Sequence, residues 1–264
     1  MKLIVLVSCM HQNNHDIVSR MNIQTDAVVV NQCNKDGIEE FDIVNKQCKS
    51  CHIKFISTKE RGLSKSRNKC IRNADGADVC LICDDDEILI DNYEKIILDA
   101  YRQHSKNIVN TFSLIRNDCN RKFPDKAMRI GLKECIKTTS HQISFNKHLV
   151  NKYGIWFDEK MGSGTGNGGG EENKFMLSCY KTKCPMNYQP MVIASVEPGK
   201  SEWFNGYDKK WIYNWGWSMR RALGTGLGIC YIFYFVMTHK KSYGEHMGLF
   251  TALYLALKGF FDKR

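Results

Sequence analysis

The stretch Val79-Cys80-Leu81-Ile82-Cys83-Asp84-Asp85-Asp86-Glu87 joins five apolar residues directly to four carboxylates. A continuous apolar run of this length is typical of a parallel strand that is covered on both faces. Four adjacent carboxylates repel one another unless a cation lies between them, and hard divalent cations prefer oxygen ligands. The stretch therefore predicts a buried strand ending in a metal site, with the alternate residues Asp84 and Asp86 as ligands. The alternative is a solvated acidic turn that caps the helix near Asp91.

Short apolar runs alternate with amphipathic segments on both sides of this strand. The alternation predicts an α/β fold in which helices flank a doubly wound, mostly parallel sheet. Ligands of such sheets bind at the carboxyl ends of the strands, so we expect the loops after Val7, Val30 and Cys83 to form one site. The predicted strands cover 3–7, 27–30, 52–57, 79–83, 108–112, 141–145 and 191–195, and the predicted helices cover 14–21, 62–73, 93–104, 148–153 and 171–180.

A glycine-rich segment and a pair of glutamates stand out in the second half. Six of the nine residues from Gly162 to Gly170 are glycine, which predicts a mobile loop rather than a regular element. Glu171 and Glu172 then open a helix. A mobile loop would admit an acceptor, and a carboxylate beside it could take the proton of an acceptor hydroxyl. The alternative is an acidic pair that only complements the positive end of the helix dipole.

A basic helix start precedes the acidic strand, at Arg61-Gly62-Leu63-Ser64-Lys65-Ser66-Arg67-Asn68. Its backbone N–H groups and the Arg67 guanidinium are suited to hold phosphate. The alternative is an exposed basic helix start that binds no ligand.

Three stretches resemble, in order and separation, the motifs of the family 2 glycosyltransferases with the GT-A fold. The stretch Glu60-Arg61-Gly62-Leu63-Ser64-Lys65-Ser66-Arg67-Asn68 is similar to the family's NxGxxxARN-type helix. Leu81-Ile82-Cys83-Asp84-Asp85-Asp86-Glu87 is similar to its DxD metal motif, and Gly168-Gly169-Gly170-Glu171-Glu172-Asn173 to its GGED-type acceptor motif. The resemblance implies a nucleotide-sugar-binding and catalytic GT-A domain at 1–200 and a C-terminal helical appendage at 201–264.

The resemblance also implies a metal-dependent, inverting glycosyltransferase of the hexosyltransferase type. It would move a sugar from a nucleoside diphosphate, with a UDP-sugar favoured, to a hydroxyl of a glycan or lipid-linked acceptor in the synthesis of a bacterial surface polysaccharide. By position, Asp86 is the principal ligand of Mn²⁺ or Mg²⁺, and Asp84 binds the ribose or, through water, the metal. Glu172 is the catalytic base, and Glu171 supports donor or acceptor binding.

The remaining expected contacts fall into a donor group and an acceptor group. The donor contacts are Ser8, Asn31, Gln32, Gly62, Ser64, Arg67, Asp84 and Asp85. The acceptor contacts are Gly169, Gly170 and Trp203.

The sequence departs from the family pattern in two respects. Asn31 and Gln32 stand where the family often has an Asp pair, one of which reads the nucleotide base, and Glu172 stands where it has Asp. In addition, no metal-ligating His follows the predicted strand that ends at Ser195. We interpret His141 and His148, which lie elsewhere in the chain, as structural residues.

Composition indicates an ordinary globular protein with an excess of positive charge. Lys and Arg number 38 against 28 Asp and Glu, a net charge of +10. This excess favours a polyanionic partner such as nucleic acid, anionic lipid or a phosphate-bearing substrate. The 12 Cys, without a secretory signal at the start of the chain, predict free thiols in a reducing cytosol.

The region 199–264 is both basic and aromatic, with 10 Lys and Arg against 4 Asp and Glu. We favour two helices that lie on the inner face of the plasma membrane, which predicts a cytoplasmic, peripheral membrane protein. One alternative is a transmembrane helix within the 17 uncharged residues 222–238, and the other is a set of helices in a core or dimer interface. The basic side chains expected to face the headgroups are Lys240, Lys241, Lys258, Lys263 and Arg264. The tryptophans that could stack on sugars, anchor in headgroups or pack in a core are Trp203, Trp211, Trp215 and Trp217.

Other functional classes fit parts of the sequence. A nucleotidyltransferase that makes nucleotide sugars uses a similar sheet but needs a phosphate-binding glycine loop near the N-terminus, and the segment from Ser8 to His15 contains no glycine. A basic nucleic-acid-binding module would leave the acidic cluster unexplained, because carboxylates repel phosphate without a metal. We therefore expect no nucleic-acid partner. No motif indicates a catalytically inactive homologue.

Overall fold

The computed structural model describes residues 1–116, 122–196 and 206–264 of the chain. A single sheet of ten strands forms its centre. The strands are β1 (Leu3–Met10), β2 (Asp26–Gln32), β3 (Gly37–Val44), β4 (Ser50–Thr58), β5 (Val79–Asp84), β6 (Glu87–Leu89), β7 (Val109–Arg116), β8 (Met128–Arg129), β9 (Ile143–Asn146) and β10 (Met186–Val196). They are ordered β3-β4-β2-β1-β5-β9-β7-β10-β6, and β8 pairs with β10 outside this path.

Parallel pairing dominates the middle of the sheet. Strands β4, β2, β1 and β5 run parallel to one another, as do β7 and β10. Strand β9 lies between β5 and β7 and runs antiparallel to both, and β3, β6 and β8 form further antiparallel pairs. The predicted α/β fold with a mostly parallel sheet is confirmed. Strand β3 has no counterpart in the prediction, because it is an edge strand whose residues are mainly exposed.

Helices cover both faces of the sheet, and a short 3-10 helix covers Ser140–Gln142. The helices are α1 (Ile17–Arg20), α2 (Leu63–Asn73), α3 (Tyr93–Gln103), α4 (Leu132–Lys137), α5 (Lys147–Lys152), α6 (Glu171–Lys181), α7 (Lys209–Leu223), α8 (Thr225–Thr238), α9 (Lys240–Tyr243) and α10 (Leu249–Phe260). The alternating side chains of β1 enter two cores. Ile4 packs in the core that contains Ile71 of α2, whereas Val5 packs in the core that contains Ile97 of α3.

The carboxyl ends of β1, β2 and β5 meet at one edge of the sheet. Ser8 of β1 lies opposite Val30 of β2 on one side and Asp84 of β5 on the other. Strand β9 begins at this same edge because it is antiparallel to β5, with Ser144 opposite Leu81. The 3-10 helix before β9 therefore lies beside the end of β5, which places residues distant in sequence around the acidic cluster.

Helices α7, α8 and α10 form a hydrophobic cluster of their own, which we call the three-helix unit. Helices α7 and α10 are in close contact, since a side chain on Gly216 would collide with the carbonyl of Ala256, and one on Gly259 with that of Tyr213. The Arg221 Nε of α7 donates a hydrogen bond of 2.8 Å to Asp158, which connects the unit to the rest of the chain.

The uncharged segment 222–238 is divided between two helices. Helix α7 ends at Leu223 and α8 begins at Thr225, with Gly224 between them at a left-handed φ of 75°. Within the residues that the structure describes, no helix combines the length and the apolar character needed to cross a membrane.

Candidate active site

The acidic cluster lies at the edge of the sheet where β1, β2 and β5 end. Asp84 is the last residue of β5, Asp85 and Asp86 form the turn that follows, and Glu87 begins β6. The Asp85 and Asp86 side chains are exposed, Asp84 is half-buried and Glu87 is fully buried. The four adjacent carboxylates thus lie in different environments.

A buried arginine joins the acidic strand to the glutamate pair. Arg67 is 2% exposed, and its Nη2 donates to the two carboxylate oxygens of Asp84 at 2.9 and 3.0 Å. Its Nη1 donates to Glu171 Oε1 at 3.0 Å. Burial opposes the guanidinium charge, but Asp84 and Glu171 outweigh it and raise the pKa of Arg67 above its ordinary value. The contact expected between Arg67 and a diphosphate is therefore replaced here by contacts with two carboxylates.

Asp84 is held on two sides. Besides the contacts with Arg67, it accepts a hydrogen bond of 2.8 Å from Ser140 Oγ. Burial alone would raise the pKa of the Asp84 carboxyl, but Arg67 and His141 lower it below its ordinary value. Asp84 is therefore an oriented carboxylate rather than a freely rotating one.

His141 also belongs to this site, although the sequence gives no sign of it. Its Nε2 lies 3.2 Å from Asp86 Oδ1, 3.9 Å from Glu87 Oε1 and 4.0 Å from Asp84 Oδ2. Burial would lower the pKa of the imidazole, but the three carboxylates raise it to about 9. The interpretation of His141 as a structural residue apart from the site is thus corrected. His148, by contrast, is 73% exposed and pairs with Asp78.

Asp84, Glu87 and His141 form a group that could hold a metal ion, because one ligand atom of each lies within 4.8 Å of the others. Among the described residues, Glu87 Oε2 and His141 Nδ1 are buried without a hydrogen-bond partner. Burial raises the pKa of Glu87 to about 8, against an opposing effect of His141. Glu87 therefore joins the candidate ligands, whereas the sequence assigns that role to Asp84 and Asp86 alone.

Two of the expected donor contacts use their side chains to hold the protein together. Ser8 accepts a hydrogen bond of 2.9 Å from Ser66 Oγ of α2. Asn31 is fully buried, and its side chain donates to the carbonyl of Gln12 and accepts from its N–H, at 2.9 and 3.0 Å. These contacts fix the loop after β1. In this structure they leave the side chains of Ser8 and Asn31 turned into the protein.

The start of α2 is held in a similar way. Gln32 Oε1 accepts from the N–H of Gly62 at 2.8 Å, and Ser64 Oγ donates to the carbonyl of Met161 at 2.8 Å. Gly62 has a φ of 123°, a conformation that favours glycine. The start of α2, where the sequence predicts phosphate binding, is therefore a turn held by hydrogen bonds. The side-chain oxygens of Gln32 and Ser64 make these bonds in this structure.

The glycine-rich segment forms no helix or strand, as the sequence predicts, and it packs between α2 and α7. Gly168 has no space for a side chain, because a Cβ there would collide with Ser218 Oγ of α7. A Cβ on Gly164 would lie 3.2 Å from the backbone of Gly62. The glycines with positive φ, which make this path possible, are Gly162, Gly164, Gly166 and Gly170.

Helix α6 begins with Glu171 and Glu172 in its first turn, as the sequence predicts. Glu171 is 5% exposed and is bound by Arg67, whereas Glu172 is half-buried. Burial and the adjacent Glu171 charge raise the pKa of Glu172 to about 8, against an opposing effect of Arg67. A carboxylate with a pKa near neutrality is suited to accept a proton from a substrate.

A cleft of about 650 Å³ lies between the glycine-rich segment and the start of α7. Gly169 and Gly170 line one side, and Trp211 and Trp215 line the other, with their rings stacked at 6.0 Å between centroids and 10° between planes. Of the expected acceptor contacts, Gly169 and Gly170 thus border this cleft. Trp203 lies outside the described residues.

The family model described as glycosyl transferase family 2 matches residues 11–158, more than half of the 264-residue chain. The chain therefore belongs to glycosyl transferase family 2, which confirms the expected family. The matched residues contain the first two motifs, whereas the third, at 168–173, lies beyond them. A glycosyltransferase is thereby favoured over a nucleotidyltransferase or a nucleic-acid-binding module. A search of curated protein sequences finds no significant match.

Crystal structures of S. aureus TarS share the fold of this chain. TarS 1–349 in complex with UDP-GlcNAc gives a TM-score of 0.65 at 16% sequence identity, covering 98% of this chain and 80% of that one. TarS 1–349 in complex with UDP gives 0.62 at 15% identity, with 98% and 81% covered. The structure of TarS itself gives 0.60 at 15% identity, covering 93% of this chain and 45% of TarS. Identity this low establishes the shared GT-A fold alone.

Proposed function

We propose that this chain transfers a hexose-type sugar from a UDP-sugar to a hydroxyl of a glycan or lipid-linked acceptor, in polysaccharide synthesis. The observation that carries the proposal is the contact of Arg67 with both Asp84 and Glu171, because it joins the DxD-type strand end to the start of α6. The complexes of TarS with UDP-GlcNAc and UDP support UDP as the nucleotide of the donor.

In the proposed reaction, Glu172 takes the proton of the acceptor hydroxyl. The hydroxyl oxygen bonds to the anomeric carbon while the bond from that carbon to UDP breaks on the opposite face, so the configuration inverts. UDP leaves with the bonding electron pair. Arg67 and Glu171 act as positioning residues, because their ion pair fixes the first turn of α6 beside the end of β5.

The acidic cluster is the proposed site of Mn²⁺ or Mg²⁺. The fit rests on its oxygen-rich donor set and on the buried Glu87 Oε2, which has no hydrogen-bond partner among the described residues. Asp86 and Asp84 are the principal proposed ligands, with Glu87 beside them. When bound, the cation would neutralise charge on the departing diphosphate.

The cleft between the glycine-rich segment and α7 is the proposed acceptor site. Gly169 and Gly170, which line this cleft, directly precede Glu171 and Glu172 in the chain, and this closeness along the chain supports the assignment. The stacked rings of Trp211 and Trp215 offer apolar faces on which a sugar ring can stack. We therefore assign these two tryptophans the role that the sequence suggests for Trp203.

Residues 201–264 are proposed to bring this site to the inner face of the plasma membrane, with 1–200 as the catalytic domain. Helices α8 and α10, together with the residue directly after α10, expose large apolar side chains, which we call the apolar face: Leu227, Phe233, Tyr234, Met237, Phe250, Tyr254 and Phe261. Phe250 is 84% exposed, and the adjacent Lys240, Lys241 and Lys258 supply positive charge. Exposed apolar side chains flanked by lysines fit an anionic lipid surface.

Cosedimentation with lipid vesicles tests this surface. We expect the wild-type chain to pellet with anionic vesicles, less so at high salt, and the Phe250→Asp/Tyr254→Asp variant to stay largely in the supernatant. Ile38→Asp is the matched control, because Ile38 is also an exposed apolar residue, at 62%, but lies on β3. If the double variant pellets as the wild type does, the apolar face does not bind lipid.

A thermal-shift screen of nucleoside diphosphates, with and without Mn²⁺, tests donor binding. The proposal predicts that UDP raises the melting temperature and that this rise requires the metal. Indifference to every nucleoside diphosphate would contradict the proposed function.

A further inference from the structure

His141 lies among three carboxylates that belong to β5, β6 and the turn between them. We infer that His141 is a ligand of the divalent cation, and that its nitrogen makes this site prefer a transition ion such as Mn²⁺ to Mg²⁺. The inference rests on the metal dependence of the proposed function. It assigns a role to a residue that lies outside all three sequence motifs.

The topology of the sheet brings His141 to the acidic cluster. Strand β9 is antiparallel to β5, with Leu81 opposite Ser144, so the residues before β9 lie beside the residues that follow β5. The 3-10 helix then turns His141 Nε2 toward Asp86 and Glu87, at 3.2 and 3.9 Å. The imidazole nitrogen of the 3-10 helix thus lies within 4.0 Å of carboxylate oxygens of Asp84, Asp86 and Glu87.

The distances suit a shared ion. Ligand atoms about 2.2 Å from one metal ion lie at most about 4.4 Å apart, and the ligand atoms of Asp84, Glu87 and His141 already lie within 4.8 Å of one another. The largest of these separations therefore exceeds that limit by at most about 0.4 Å.

Burial separates this group from an ordinary surface cluster. The Glu87 side chain is fully buried, and among the described residues its Oε2 has no hydrogen-bond partner. Leaving a buried carboxylate oxygen unpaired costs free energy, about 1–3 kcal/mol or more. The other oxygen, Oε1, lies 3.9 Å from His141 Nε2 and accepts a hydrogen bond of 2.9 Å from the N–H of Asp84. A cation bound by both oxygens of Glu87 and by His141 would give Oε2 a partner, which an imidazole serving only as a counter-charge to Asp86 does not.

The nitrogen ligand has a consequence for the choice of metal. Mg²⁺ takes oxygen ligands and keeps much of its water. Imidazole suits first-row transition ions better, and within that series Mn²⁺ binds most weakly and also takes oxygen ligands. A site built only from Asp84, Asp86 and Glu87 would be suited to Mg²⁺. With His141 included, we expect Mn²⁺ to bind more tightly than Mg²⁺ and to carry a directly bonded nitrogen.

Pulsed electron paramagnetic resonance of bound Mn²⁺ tests this directly, since it detects a coordinated imidazole nitrogen. We expect a nitrogen coupling in the wild type and its loss in His141→Gln, with Mn²⁺ affinity reduced roughly tenfold or more and Mg²⁺ affinity little changed. His148→Gln is the matched control, because His148 is 73% exposed and pairs with Asp78, away from the acidic cluster. It should keep both the coupling and the affinity.

Glu87→Gln provides a second, independent variant. It should bind Mn²⁺ more weakly while retaining the nitrogen coupling of His141, so the inference can be tested even where His141→Gln is poorly folded. Mn²⁺ bound to the wild type without a nitrogen coupling would overturn the inference. Release of UDP from UDP-sugars by the wild type is measured in parallel. If the proposed function itself fails, the wild type shows neither turnover nor metal binding. Turnover with bound Mn²⁺ but no nitrogen coupling would contradict the role of His141 alone.

Discussion

The carboxyl edge of the sheet and the three-helix unit are stabilised by different kinds of contact, polar in the first and apolar in the second. At the sheet edge, a buried arginine binds two carboxylates from different elements, and the polar side chains around it bond to one another. In the three-helix unit, aromatic rings and bare glycine backbones make the contacts, while apolar side chains face solvent. Charged side chains are thus held in fixed positions where catalysis is proposed, and apolar surface is exposed where contact with another surface is proposed.

The two regions meet at the glycine-rich segment. Gly168 lies against Ser218 of α7, and Gly170 immediately precedes the first turn of α6. The candidate acceptor cleft lies along this boundary. Substitutions in the two regions should therefore have different effects on the rate of transfer and on the stability of the fold.

The largest effect on activity is expected at the proposed base. Glu172→Gln removes the proton acceptor while keeping the size of the side chain, so the rate of transfer should fall by roughly 10²–10⁴-fold. UDP binding, measured by thermal shift, should be retained. Glu94→Gln is the matched control, since Glu94 also lies in the first turn of a helix, α3. Near-wild-type transfer by Glu172→Gln would show that the base lies elsewhere.

The largest effect on stability is expected at the buried ion pair. Arg67→Met leaves the half-buried Asp84 and the buried Glu171 carboxylates without their cation, which should lower the free energy of unfolding by about 3–5 kcal/mol. Arg72→Met, on the same helix, removes a 57% exposed arginine that lies 3.5 Å from Glu159. It should cost at most about 1 kcal/mol. Equal losses in urea unfolding of the two variants would show that burial of Arg67 has no special role.

The close glycine contacts of the three-helix unit predict a smaller loss of stability than that of Arg67→Met. Gly259→Ala places a Cβ against the carbonyl of Tyr213, and should lower the free energy of unfolding by about 1–3 kcal/mol through overpacking. Gly226→Ala in α8 is the control, because a Cβ there meets no atom within 4 Å. Its stability should be unchanged or slightly increased, since alanine favours helix. The same decrease in both variants would contradict the close packing of α7 on α10.

The pH dependence of transfer gives the most gradual effect. Only the deprotonated form of Glu172 can accept a proton, and its pKa is raised to about 8. Below that value kcat/KM should therefore increase about tenfold per pH unit, and above it the increase should level off. A profile of kcat/KM against pH checks this, and a rate that is flat or decreasing through the same range would rule out Glu172 as the titrating base.

Much of the sheet could be predicted from local sequence. The apolar runs of β1, β2 and β5 are buried on both faces, so each strand is recognisable without knowledge of its neighbours. The first turn of α6 was equally clear from Glu171 and Glu172. Strand β3 was not, because an exposed edge strand lacks a buried face. The predicted helix at 14–21 is in fact limited to Ile17–Arg20.

The surroundings of the acidic cluster could not be predicted in the same way. His141 reaches Asp86 only because β9 inserts antiparallel between β5 and β7, and no local pattern reveals that order. Likewise, Asn31 and Gln32 lie where a nucleotide contact is expected, but only the folded loops show that their side chains bind Gln12 and Gly62. Motifs thus located the site, while tertiary contacts decide which side chains face it.

The most direct test of the central claim is chromatographic measurement of UDP released from a panel of UDP-sugars, with Mn²⁺ present and with the wild type and Glu172→Gln compared. We expect the wild type to release UDP from at least one UDP-sugar, dependent on the metal, and Glu172→Gln to release little although it still binds UDP. If the wild type binds UDP but consumes none of the donors, or if Glu172→Gln consumes them equally fast, the proposed transfer at this edge of the sheet is contradicted.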